Sequence, residues 1–261
     1  YVTNLGNVEG KADEYPYVTF TAASEQMFKI SKTLTLECSV GGSAWQSVGA
    51  DTEVEFGGLK GSLRLRGKNE KGTYYSTISF TDNDVLVRCK GDIRTLIDWE
   101  YYGKVDTKNA CFSKLFYGCS VLTSAPALPA TELADYCYKS MFNGCTSLKN
   151  APDLPAKKVP REAYSYMFNG CTSLTTAPAE LPATELAKYC YERMFCGCKV
   201  LENAPDLPAE NVPLEAYSSM FSNCFALKKM PKISAKAVAD YGMAGMFAMY
   251  PNLEKPGEHS N

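Results

Sequence analysis

The chain has 261 residues, 45% of them apolar and 21% charged, with a formal net charge of -2 at pH 7. This is the composition of a core-forming chain, and it offers no basic field or Lys/Arg stripe to hold a phosphate backbone, so no nucleic-acid partner is expected. No window approaches the roughly 18 uncharged apolar residues of a membrane-spanning helix. The chain opens at Tyr1 rather than Met. The expectation is therefore that processing or expression design removed the true start, and that any membrane attachment runs only through a removed N-terminal anchor.

Composition divides the chain. Of the 14 prolines only Pro16 lies before residue 126, and glycines and alternating runs crowd the first part. Residues 1–14 read as a linker and 15–104 as an all-β sandwich of immunoglobulin-like type, with the boundary near 98–108. In LTLECSV (34–40) Leu34, Leu36, Cys38 and Val40 alternate with polar residues, the period of a strand with one buried face. Further strands are predicted at 17–21, 27–30, around Val54 and Phe56, and at 63–66, 73–80 and 85–90, separated by Gly, Asn and Asp turns. Cys38 and Cys89 both fall on apolar faces, as a disulfide across the core or as two small buried hydrophobes.

Residues 105–261 repeat. The Phe of an MF-type phrase recurs at 116, 142, 168, 195, 221 and 247, every 26 residues except for one interval of 27 where Glu180 is inserted. A Cys follows three residues later at 119, 145, 171, 198 and 224, and a Leu six residues later at 122, 148, 174, 201, 227 and 253. Such a period marks units that cannot bury an apolar face alone and stack to do so. Cys137, Tyr138, Met141, Phe142 and Cys145 occupy i, i+1, i+4, i+5 and i+8, which predicts one face of a short helix that ends near Gly144. The following SLKNAPDLP is expected to be extended, building a narrow parallel sheet with a rise of about 4.8 Å per repeat. The prolines at 126, 152, 178, 205 and 231 limit that sheet to two or three residues in width. TELA..CY and VP.EAY variants of the preceding segment alternate from copy to copy. The expected architecture is an α/β solenoid, a right-handed stack of six leucine-rich repeats whose last copy is a cap, because MYPNL (249–253) replaces GCTSL there and Tyr250 replaces the Cys.

The phrase MF-x-G-C-x-S-L at this period, followed by APxLPAT, resembles the BspA-like leucine-rich repeats of bacterial cell-surface proteins. The resemblance covers roughly 105–261, and a β-domain with an SVGGSAW hairpin (39–45) ahead of the repeats is similar to these proteins too. It implies a curved repeat stack, a cell-surface or secreted location as an outer membrane-anchored lipoprotein, and adhesion to host proteins or other cells.

The chemistry of a reaction centre is missing from the pattern. The single histidine, His259, is the third residue from the end, a poor base for a Ser-His or Cys-His couple. No Gly-rich loop precedes Lys-Ser or Lys-Thr. Most of the 11 cysteines belong to repeat columns; Cys111, Cys137 and Cys190 exchange with Ala163 and Ala216, which argues for small buried positions. Cys190, Cys196 and Cys198 lack a fourth partner and a CxxC pair, so no metal is expected. Asp153 and Asp206 sit at one place in copies two repeats apart, on the order of 10 Å from each other, a surface pattern rather than a carboxylate couple. Phe112, Tyr138, Tyr164, Tyr191 and Tyr217 read as core, and Trp99 with Tyr102 as the cap of the first repeat.

Neither an enzyme nor a cofactor is therefore expected. The reading is a non-catalytic surface protein whose repeats present polar rows to a protein partner, of host extracellular or mucosal origin. The rows are Ser124, Asn150, Thr176, Asn203 and Lys229, two residues after the repeat Leu, and Asp153, Asp206 and Lys232 after the first Pro. The alternative is a glycan-binding surface protein with its ligand site in the N-terminal β-domain.

Overall fold

The structure is a computed structural model that describes residues 15–249. The linker at 1–14, Leu253, the cap phrase around Tyr250 and His259 lie outside the described residues.

Two sheets form the N-terminal part. Its strands are β1 (Val18–Ala22), β2 (Gln26–Ile30), β3 (Leu36–Val40), β4 (Gln46–Ser47), β5 (Val54–Phe56), β6 (Leu63–Gly67), β7 (Ile78–Phe80) and β8 (Val87–Lys90). A ninth strand, β9 (Leu122–Ser124), comes from the first repeat. The larger sheet has the order β4-β3-β6-β1-β8-β9, and the smaller β5-β2-β7. Alternation turns Phe20, Leu63, Leu65 and Val87 inward from the first sheet and Phe28, Ile30, Ile78 and Phe80 inward from the second. The Phe20 ring meets Phe28 at 6.0 Å and Phe80 edge-on at 5.3 Å. The stretch 73–80 gives only a three-residue strand, because Tyr74 and Tyr75 turn with positive φ of 38° and 60°.

Cys38 and Cys89 are buried free thiols. β3 and β8 are separated by β6 and β1 in the sheet. Three strand spacings, about 14 Å, exceed the reach of a disulfide.

The repeats overturn the expected α/β solenoid. Among the described residues there is no α-helix; helical turns are confined to the short 3-10 segments Gly58–Lys60, Ile93–Leu96 and Tyr102–Lys104, all before the first repeat. In place of each predicted helix runs a series of overlapping turns in which successive amides alternate in use. Cys137, Lys139, Met141, Asn143 and Cys145 donate to carbonyls three residues back, whereas Tyr138, Ser140, Phe142 and Gly144 donate to Ala163, Ser165, Met167 and Asn169 of the next coil. Every fourth residue takes the left-handed region: Tyr136, Ser140 and Gly144 in one coil, and Glu162, Tyr166 and Gly170 in the next. Each stands at the second central position of its turn, where a type II turn requires positive φ. A non-glycine there costs about 1–2 kcal/mol. The coil-to-coil bonds, at about 0.5–1.5 kcal/mol each, and a buried Phe and Met per coil, at about 1.5–3 kcal/mol each, offset it.

The expected narrow parallel sheet is likewise broken into pieces. β10 (Lys158–Val159) pairs with β11 (Glu185–Leu186), and β12 (Asn211–Val212) with β13 (Ala237–Val238), as two separate pairs. Single parallel bridges join Asn150 to Thr176, Asn203 to Lys229 and Leu207 to Ile233. The proline in each copy removes the amide that would extend these bridges.

The coils are nonetheless in strict register. Phe116, Phe142, Phe168, Phe195, Phe221 and Phe247 stack with centroids 5.4–5.7 Å apart and planes within 9° of parallel. Phe112, Tyr138, Tyr164, Tyr191 and Tyr217 form a second column at 5.6–5.9 Å. Each ring pair adds about 0.5–1.5 kcal/mol beyond area burial.

The first coil is closed by the β-sheets rather than by Trp99 and Tyr102. Phe20 lies edge-on to Phe116 at 6.2 Å. The amides of Thr73, Ile78 and Val87 donate to the carbonyls of Cys111, Leu115 and Val121 at 2.6, 2.7 and 2.9 Å. With β9 parallel to β8, one hydrophobic cluster runs from Val18 to Met246, so the larger sheet is not a self-contained antiparallel half of a sandwich.

Candidate functional site

Coil-to-coil register decides where the polar rows stand. Asn150, Thr176, Asn203 and Lys229 are exposed, and so are Asp153, Asp206 and Lys232. The bridges Asn150–Thr176 and Asn203–Lys229 fix neighbouring members of the first row by backbone pairing, so side-chain positions there depend on the buried leucine two residues earlier. In the second row the Lys232 amide donates to Asp206 Oδ1 at 2.8 Å, one coil away.

Ser124 departs from its row. Its hydroxyl donates to the Cys89 carbonyl at 2.8 Å and accepts from the Cys89 amide at 3.0 Å. It locks β9 to β8 and offers nothing outward, because its neighbour on that side is the larger sheet rather than another coil.

A further exposed row lies one residue earlier, at Lys149, Thr175, Glu202 and Lys228. Thr175 Oγ1 donates to the Lys149 carbonyl at 3.1 Å, and Lys228 Nζ lies 2.8 Å from Glu202 Oε2. Sequence reasoning passed over it, although the same Leu-based count would have found it. Where the repeats meet the sheet, a groove of about 740 Å³ is lined by Thr21, Arg88, Thr123 and Lys149 among others. Lys149 of the repeat row thus faces Thr123 and Arg88 across this groove.

The thiols are core. Cys145, Cys171, Cys198 and Cys224 donate Sγ–H to the carbonyls of Phe116, Phe142, Phe168 and Phe195 in the preceding coil, at 3.0–3.2 Å. Burial pushes the pKa of the Cys119, Cys171 and Cys224 thiols up to about 12, so they stay protonated at neutral pH. Cys196 alone is not buried. Among the described residues no group of three or more His, Cys, Asp or Glu side chains is placed to hold a metal ion. The tyrosines of the stacked column are buried with their ring faces against one another, leaving none for a sugar.

Trp99, expected over the first repeat with Tyr102, packs instead on the N-terminal part. The Arg66 guanidinium lies 4.2 Å from the Trp99 ring centroid, and Arg94 lies 5.9 Å from that of Tyr102. The alternation LRLR, which sends Arg64 and Arg66 to one face, carried the signal.

Comparison of the chain with known family models, with characterised proteins and with solved structures finds no match.

Proposed function

We propose that this is a non-catalytic, BspA-like cell-surface protein that uses the exposed repeat rows to bind a protein partner of host extracellular or mucosal origin. The single observation that carries the reading is the register of those rows. Asn150, Asp153, Thr176, Asn203, Asp206, Lys229 and Lys232 stand exposed on coils whose backbones are hydrogen-bonded to one another. A rigid, repeated surface of mixed charge suits a polar protein interface, and its outward positions vary without disturbing the stack. Presented at the cell surface, these rows serve adhesion.

The test is surface plasmon resonance of the full chain over immobilised extracellular-matrix and mucin proteins. The variant combines Asn150→Lys, Asp153→Lys, Lys229→Glu and Lys232→Glu and leaves Asp206 in place for its coil-to-coil bond. Loss of every interaction seen with the parent chain supports the reading; retention of all of them sinks it.

A further inference from the structure

The larger sheet carries a charge opposite to that of the chain. The chain has a formal net charge of -2, yet on the six strands of this sheet Arg64, Arg66, Arg88 and Lys90 are basic and Glu37 alone is acidic. Strand register sets Ser39, Arg64, Thr19 and Lys90 in one row across β3, β6, β1 and β8. Ser39 and Thr19 are the buried floor of that row, and Lys90 is exposed at its end.

Four aromatic rings gather beside the row. Arg66 is held between Trp45 and Trp99, its guanidinium 4.3 and 4.2 Å from their centroids, while its Nε donates to Glu37 Oε2 at 2.7 Å. Tyr17 meets Trp45 edge-on at 4.9 Å, Tyr15 meets Trp99 edge-on at 5.5 Å, and Tyr15 stacks on Tyr17 at 5.6 Å. Arg66 is therefore spent on holding the rings, its charge met by Glu37. Lys90 forms no ion pair among the described residues. A groove of about 700 Å³ runs along this edge, lined by Tyr15, Tyr17, Arg64 and Lys90, with Gly42 and Gly91 leaving backbone bare. That volume lies in the range of small-ligand sites.

We propose that this groove binds an anionic saccharide. Its carboxylate or sulfate is taken by Lys90, and one apolar sugar face lies on the half-buried Tyr15 ring; Arg64 Nη2 donates to Ser39 Oγ at 3.1 Å and forms part of the wall. Charge-assisted contacts supply the anchoring, and the Tyr15 ring, already packed on Tyr17 and Trp99, loses little freedom on binding. A single lysine at the end of the row suits a ligand with isolated acid groups. A long polyphosphate needs a continuous basic track, which a chain of net negative charge does not offer. An acidic peptide offers the ring no comparable flat apolar face.

Isothermal titration of the full chain with four short probes tests this: a hyaluronan octasaccharide, which bears carboxylates only, a chondroitin sulfate octasaccharide, uncharged maltooctaose, and a single-stranded thymidine oligonucleotide. Binding of either anionic saccharide is expected, weakened by added salt, and the two arms tell carboxylate from sulfate. Lys90→Glu and Tyr15→Ala are each expected to lower affinity by about tenfold. Lys188→Glu, an exposed lysine of a later coil outside the polar rows, leaves it unchanged. Near-UV circular dichroism identical to the parent keeps each variant interpretable. The proposal is overturned if neither anionic saccharide binds, if maltooctaose or the oligonucleotide binds as tightly, or if both groove variants retain parental affinity.

Discussion

Replacing Ser219 by glycine gives opposite signs for a helix and for the turns observed. Inside a helix, glycine costs about 1 kcal/mol relative to good helix formers. Here Ser219 has φ of 52°, its amide donates to Ala244 of the next coil, and its side chain is only half-buried. Relief of the left-handed strain is worth about 1–2 kcal/mol, against about 0.4–1 kcal/mol for the freer unfolded chain that glycine brings. Ser219→Gly should thus stabilise the protein by roughly 0.5–1 kcal/mol, a rise in Tm of about 1–4 °C for a chain of this size. The adjacent Ser218→Gly, outside the left-handed region, should destabilise by a similar amount. Urea titrations followed by circular dichroism read both, provided the slopes stay equal. Destabilisation by Ser219→Gly equal to that of Ser218→Gly would refute the turn architecture.

Three further outcomes follow from the stack. Phe168→Ala, which removes the middle of the ring column, should cost about 3–5 kcal/mol and Phe168→Leu distinctly less, as read by calorimetry; equal losses would show that ring stacking contributes nothing. In native protein at pH 8 an aromatic disulfide reagent should titrate Cys196 alone, the other thiols reacting only after unfolding; fast reaction of Cys171 would contradict its burial. Burial raises the pKa of Glu192 above 4.5, outweighing the hydrogen bond that Tyr166 Oη donates to it at 3.0 Å. The folded state thus holds this proton more tightly than the unfolded one, and the stability it contributes, complete below pH 4.5, is lost as pH rises through the raised value. Glu192→Gln should abolish that decline in stability-versus-pH curves, and an unchanged curve would assign it elsewhere.

The repeat was legible because identical residues at a fixed interval can satisfy only one another, and the Phe and Tyr columns follow from that alone. The N-terminal strands were legible from alternation. The conformation of the inward-facing phrase was not. Cys137, Tyr138, Met141, Phe142 and Cys145 fit one face of a 3.6-residue helix, but they also fit a strict period of four, two residues in and two out, which the turns adopt. Glycine at 118, 144, 170 and 197 hinted at one left-handed position per coil. Tyr136, Glu162 and Arg193 at the others carry no such preference, and only the coil-to-coil bonds hold them there. Ser124 misled for a different reason: it shares its column with Asn150, but its neighbour is Cys89, which no repeat count brings near. Trp99 was drawn away from the first coil by Arg66, a partner distant in sequence.

Because alternate turn amides of each coil donate to the following one, their dipoles run parallel along that face of the stack, while the extended segments opposite mostly donate backward to the preceding coil. The polarity is the reverse of an α-helix: electron-rich carbonyls lie toward the start of the chain and electron-poor amides toward its close. Along the turn face the described coils therefore have a direction, with carbonyls turned to the β-sheets, where Thr73 and Ile78 meet them, and amides turned away from those sheets.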